Sequence, residues 1–213
     1  MSHFVGLCFG ENWDSYLEEY YEGLEVDPYI IYSKQSAIDE AIARHTSHYD
    51  YAVKQLKKST LSKESYDYYN KIVNEGPSLS RSKAWEKAKG WGYEIDENDN
   101  LLATYNPNSK WDWYSVGGRW SGFLPLKKLD EEGKHLLTNE AYFNEIDWDY
   151  FFEYQFTPFC FVTEDGDWNE KGEMGWWGIT TNEQPADDWD TQFKEYLKTV
   201  DPDCLVTVVD FHI

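Results

Sequence analysis

Apolar runs of strand length alternate along this chain with amphipathic stretches, and most changes of period fall at a glycine, a proline or a capping residue. His3 to Phe9 is an apolar run ended by Gly10, which predicts a strand. From Asn12 to Gly23 the residues Trp13, Tyr16, Leu17, Tyr20 and Leu24 recur at helical spacing, with Gly23 as a stop. Pro28 then precedes a short apolar piece, Tyr29 to Tyr32. Residues 34–89 read as helical. Ser36 is suited to cap a first helix through Ile38, Ala41, Ile42 and His45, with Asp39 completing a variant capping box. Ser62 or Ser65 can cap a second helix carrying Tyr66, Tyr69, Ile72 and Val73, broken by Gly76-Pro77. Ser80 or Ser82 can open a third, with Trp85 and Ala88.

From Gly90 the period becomes that of strands. Trp91-Gly92-Tyr93 and Leu101 to Tyr105 flank the turn-rich segment 96–100. Gly117-Gly118 stands between the aromatic runs 110–116 and 119–124, which predicts a two-residue hairpin because both turn positions need positive φ. An acidic, aromatic helix is expected near Tyr142 to Phe152. Phe156 to Thr163 reads as a strand turned by Asp165-Gly166, with Met174 to Ile179 returning beside it. Asp187 is placed to cap a last helix with the apolar face Trp189, Phe193, Tyr196, Leu197 and Val200. Pro202 ends it, and Cys204 to Ile213 closes the chain as a strand. Hairpins mixed with helices predict an α+β fold: an antiparallel sheet packed with helices, ferredoxin-like if the first and last strands pair. The expected organisation is a single domain over 1–213, with a helical insertion at 34–89.

Composition sharpens this picture. Of 213 residues, 11 are Trp, 17 Tyr and 11 Phe, while Met and Cys are scarce, so aromatic rings fill much of the core. The formal net charge is −21. It is unevenly placed: residues 34–89 hold 11 basic and 7 acidic residues, and the remainder 8 basic and 33 acidic. Such a surface repels nucleic acid and anionic membranes and favours basic partners. Cys8, Cys160 and Cys204 lack CxxC spacing, the start lacks a signal-peptide pattern and no apolar stretch is long enough to span a membrane. Together these point to reduced thiols in a cytoplasmic protein.

The opening Ser2-His3-Phe4, the stretch YNPNSKWDWYSVGGRWSGF at 105–123, the blocks TPFCFVTEDGDW and KGEMGWWGI within 157–179, and the ending VDFHI resemble an uncharacterised protein family of phages, prophages and bacterial genomes. Residues 34–89 fit it loosely. The resemblance implies no activity. It implies a mobile-element setting, in which small acidic proteins inhibit host machinery.

Two constellations carry candidate chemistry. The predicted hairpin sets Val116 opposite Arg119, Ser115 opposite Trp120, Tyr114 opposite Ser121 and Trp113 opposite Gly122. Trp111, Trp113, Trp120 and Leu124 then share a core face, with Gly122 making room for Trp113. Lys110, Asp112, Tyr114, Arg119 and Ser121 share the other, a candidate ligand-binding face. Arginine suits bidentate capture of carboxylate or phosphate; the alternative is that Arg119 pairs with Asp112 or a neighbouring carboxylate on an ordinary solvated sheet face. The second constellation is His3, Asp210 and His212, which meet if the terminal strands pair. They are candidates to hold a divalent metal or to act as general base and orienter, against a structural hydrogen-bonded histidine. His45 and His48, at i and i+3, read as surface histidines. Glu164 to Asp167 reads as an acidic turn, because the following residues do not continue a calcium loop.

No P-loop, GxGxxG after a strand, or GxSxG elbow is present, and no cofactor is expected. The leading expectation is a non-catalytic binding protein that inhibits or sequesters a host factor. Its target is a basic host protein or a small nucleotide ligand, with no direct nucleic acid binding. The alternatives are a metal- or His-dependent hydrolase acting on a nucleotide, and a structural or assembly accessory protein.

Overall fold

The structure, a computed structural model, describes residues 2–58, 60–175 and 178–213. The fold is α+β, and the chain forms two compact units, residues 1–25 with 105–213 and residues 26–104. The first unit opens with β1 (His3–Phe9) and α1 (Trp13–Leu17). The chain then builds the second unit from β2 (Tyr29–Tyr32), α2 (Lys34–Leu56), α3 (Lys63–Glu75), α4 (Arg81–Lys89), β3 (Glu94–Ile95) and β4 (Leu101–Ala103). It returns to the first with β5 (Trp113–Val116), β6 (Leu124–Leu129), β7 (His135–Thr138), β8 (Glu140–Tyr142) and α5 (Trp148–Tyr154). It ends with β9 (Cys160–Val162), β10 (Trp168–Glu170), β11 (Glu173–Met174), β12 (Thr180–Thr181), α6 (Ala186–Leu197) and β13 (Leu205–His212).

The main sheet of the first unit runs β10-β9-β1-β13-β5, with β8 continuing beside β13. β1 and β13 pair antiparallel from His3↔His212 to Phe9↔Val206, so the two ends of the chain form the centre of the sheet. Both strands are buried on both faces, which is why they read as near-continuous apolar runs rather than alternating ones. On one face Val5, Leu7, Phe9, Val206 and Val208 pack with Trp189 and Phe193 of α6 and Phe151 of α5. On the other, Phe4, Cys8, Val209 and Phe211 pack with Trp13 and Leu17 of α1 and with Trp111. Removing one large apolar side chain from water contributes roughly 1.5–3 kcal/mol, so these two layers hold the sheet.

Two strand expectations change in the structure. β9 pairs with Trp168–Glu170 through the Asp165-Gly166 turn, and Met174 instead pairs with Thr180 in a separate ribbon. Trp176 and Trp177, at the centre of the expected Met174–Ile179 strand, lie outside the described residues. The hairpin expected at Gly117-Gly118 does not form. β5 pairs with β13, and β6 pairs with β7. Both glycines do take positive φ, but a 3₁₀ turn over Gly118–Trp120 follows them.

The helical stretch 34–89 makes up most of the second unit. Ser33, Ser62 and Ser80 each accept a backbone N–H from three residues on, so the first cap falls at Ser33 rather than Ser36. Ala37, Ile38 and Ala41 of α2 pack on Ala84 and Ala88 of α4 and on Leu101 of β4. Small residues here allow close helix approach. His45 is buried, contrary to the surface position expected from sequence, because this face of α2 turns towards α4. Among the described residues, no helix is long and apolar enough to cross a membrane.

Candidate functional site

Asp210 and His212 lie on the same face of β13 as Val206 and Val208, but beyond the stretch that packs in the helix-covered core. Both are 2% exposed, and a buried polar side chain must find hydrogen-bond partners. The β1–β13 register supplies the first, because His3 stands across from His212. His3 Nδ1 lies 3.0 Å from Asp210 Oδ1, and the His3 and His212 rings are 4.9 Å apart, edge to face.

The second set of partners comes from 112–119, since β5 pairs on the other side of β13 with Trp113↔His212 and Ser115↔Asp210. Asp112 Oδ1 lies 2.5 Å from His212 Nδ1, and the Arg119 backbone N–H donates to Asp210 Oδ2 at 2.9 Å. Two members of the predicted ligand face, Asp112 and Arg119, thus meet the terminal-strand constellation. Gly118 makes this possible. A Cβ there would collide with Cβ and Oδ2 of Asp210 and lie 2.7 Å from Ser115 Oγ. The glycine pair brings backbone against a buried carboxylate instead of folding one strand onto another.

Trp113 completes the cluster. Its ring stacks on His212 with centroids 4.8 Å apart and planes 20° apart, and meets His3 edge-on at 5.3 Å. It remains 44% exposed, so it is not the core residue expected from sequence. Gly122 makes no room for it either, since an added Cβ would meet Leu137. The expected three-tryptophan face is divided: Trp111 packs in the core layer beneath α1, Trp120 packs against the opposite layer, and Trp113 sits at the surface.

The predicted ligand face is divided in the same way. Lys110 pairs with Glu170 at 2.6 Å. Tyr114 points to the opposite side of the sheet, beside Trp111 and Trp13, and burial, aided by the negative charge of Asp14, pushes its phenol pKa up. Ser121 Oγ accepts from Asn139. Only Asp112 and Arg119 join the terminal cluster, Arg119 through its backbone. A pair between their side chains, the alternative to a ligand site expected from sequence, does not form: Asp112 bonds His212 and Arg119 reaches Asp210 through its backbone. Trp113 was missed as a site residue. Its alternation with Ser115 was visible, but the strand it would pair with lies about a hundred residues away.

A carboxylate acceptor on Nδ1 requires the proton there and leaves Nε2 of a neutral ring as the lone-pair nitrogen. Both imidazoles are held in this way. His212 Nε2 is buried and has no hydrogen-bond partner among the described residues. Among the described residues no three His, Cys, Asp or Glu side chains are arranged to hold a metal; His3 is coupled to Asp210 and His212 to Asp112. The arrangement provides two oriented acid–base groups beneath an open indole face.

The three thiols are free and buried. Burial raises the pKa of Cys8 and Cys160 far above the ordinary thiol range and that of Cys204 to about 12. A thiolate-specific reagent at neutral pH is expected to leave the native protein unlabelled and to label all three cysteines in denaturant. Rapid labelling of the folded protein would contradict this burial. Searches of protein-family models, curated proteins and solved structures give no match to the chain.

Proposed function

We propose that this chain is an acidic, non-catalytic binding protein that sequesters a basic host factor through its sheet unit. The observation that carries this reading is the distribution of charge. Residues 1–25 and 105–213 hold 28 acidic and 8 basic residues, net −20, whereas residues 26–104 hold 12 and 11, net −1. Four of those eight cations, Lys110, Lys134, Lys171 and Lys198, already pair with carboxylates. The unpaired excess produces a field that steers a cationic surface towards this unit and disfavours polyanions. The resemblance to phage and prophage proteins supports a host defence protein as the target.

The test is retention of bacterial lysate proteins on the immobilised full chain. Selective retention of basic proteins at low ionic strength is expected, with release by about 0.5 M salt, where exposed charges are screened beyond a few ångströms. Retention that ignores salt, or no retention, would overturn the reading.

A second reading is favoured by the paired imidazoles: acid–base hydrolysis of a nucleotide at His3 and His212, with Asp210 and Asp112 as orienting groups. Turnover of cyclic or ADP-ribose-type nucleotides that drops by about 100-fold in His212→Ala would support it. A wild-type protein inert towards such nucleotides removes it.

A further inference from the structure

The second unit holds a feature of opposite character. Ala41, Arg44, His45 and His48 recur at i, i+3, i+4 and i+7, so they form one stripe along α2. Facing them are Lys87 of α4 and Trp91 just beyond it. Together these six residues line a cavity of about 250 Å³. No carboxylate is among the lining residues described, although the chain as a whole carries −21.

Two of the cationic groups, Lys87 and Arg44, are held in place. His45, 6% exposed, has Nε2 3.0 Å from the Gly76 carbonyl oxygen. A carbonyl only accepts, so Nε2 bears the hydrogen and Nδ1 carries the lone pair. That lone pair faces Lys87 Nζ at 3.4 Å, and Glu75 is 3.7 Å from the same ammonium. His45 is thus a positioning residue that fixes the ammonium of Lys87 at the cavity wall. Arg44 lies with its guanidinium carbon 4.6 Å from the Trp91 ring centroid, while its Nε donates to Glu40 and its Nη2 approaches the Tyr32 hydroxyl at 3.5 Å. Stacking and the Glu40 bond restrain the planar fork, which lowers the entropy lost when its remaining donors engage a ligand. A larger cavity of about 670 Å³ shares His45 and Lys87 with the first and adds the hydroxyls of Ser78, Ser80 and Ser82, the ammonium of Lys83 and the carboxylates of Glu75 and Glu86, so the anionic group belongs in the smaller, carboxylate-free cavity. The adjoining space brings the site into the range of small-molecule pockets, roughly 300–1,000 Å³.

We propose that this cleft binds the phosphate group of a small phosphate-bearing ligand, with Arg44, Lys87 and His48 as donors to its oxygens and the larger cavity receiving the rest of the molecule. A phosphate presents several acceptor oxygens and suits a planar fork beside a point cation. The inference is independent of the charge-based reading of the sheet unit, because every residue it uses lies within 26–104.

The test is isothermal titration of the full chain, at low ionic strength, with inorganic phosphate and separately with adenosine 5′-monophosphate. Lys87→Gln and His48→Gln serve as variants, with thermal melts as the check on folding. Saturable binding of at least one probe is expected, weakened about tenfold or more by each variant. Equal affinity for the two probes assigns recognition to the phosphate alone. Tighter binding of the nucleotide assigns additional contacts to the larger cavity. Absence of binding by both probes overturns the proposal, as does binding that both variants leave unchanged. His48 is exposed and outside the unit's core, so its substitution reports on the cleft even if Lys87→Gln perturbs the His45 network.

Discussion

Asp210→Ala is expected to lower the free energy of unfolding by about 3 kcal/mol, because each buried donor left unpaired costs roughly 1–3 kcal/mol. The 2% exposed carboxylate binds His3 Nδ1 through one oxygen and the Arg119 backbone N–H through the other. Alanine removes both acceptors at once, and no solvent reaches this depth freely to replace them. Asp210→Asn keeps one acceptor oxygen and is expected to lose about half as much. Urea denaturation of the three proteins measures the series. If Asp210→Ala unfolds within about 0.5 kcal/mol of wild type, as substitutions away from such networks do, the cluster does not hold the end of the sheet together.

Gly6→Ala carries the second large effect, an expected loss of about 2–3 kcal/mol at the centre of the sheet from overpacking. Gly6 sits between Val209 of β13 and Cys160 of β9, and its side faces a layer already filled. A Cβ there would lie 2.6 Å from Cys160 Sγ and 2.6 Å from the Phe211 ring, both fully buried. The neighbours cannot retreat without disturbing Phe4 or Trp168, which pack on Phe211. Adding Cys160→Ala removes one of the two collisions, so the double variant is expected to recover about 1 kcal/mol relative to additivity. Thermal melts that place Gly6→Ala level with wild type would contradict the tight packing of this layer.

The sheet unit combines a strongly acidic surface with a hydrogen-bonded interior cluster, and these two properties lead to different experiments. Salt acts on the exposed carboxylates, while substitution acts on the buried network. Loss of stability in the Asp210 variants with unchanged salt-dependent binding would assign the cluster a structural role and leave the binding reading intact.

Much of this protein was determined by the sequence itself. β1 was legible as His3–Phe9, the caps were narrowed to Ser62 or Ser65 and to Ser80 or Ser82, the last helix along Trp189, Phe193 and Leu197 lay in a local pattern, and the α+β class followed from their mixture. These features depend on period, capping and turn chemistry, which act over a few residues. The meeting of His3, Asp210 and His212 was also conditionally legible, because a single antiparallel pairing of the terminal strands brings it about. The tertiary structure alone decided the rest. Positive φ at Gly117 and Gly118 is common to a hairpin turn and to a loop pressed against Asp210, so local chemistry does not distinguish them. What decided between them was the competition for the open edge of β13, which β5 won across nearly a hundred residues of chain. That one long-range pairing placed Trp113 over His212, joined Asp112 to the imidazole and divided the expected ligand face among four neighbourhoods. Strand pairing depends on which edges remain free once the core has formed, and no short window of sequence contains that information.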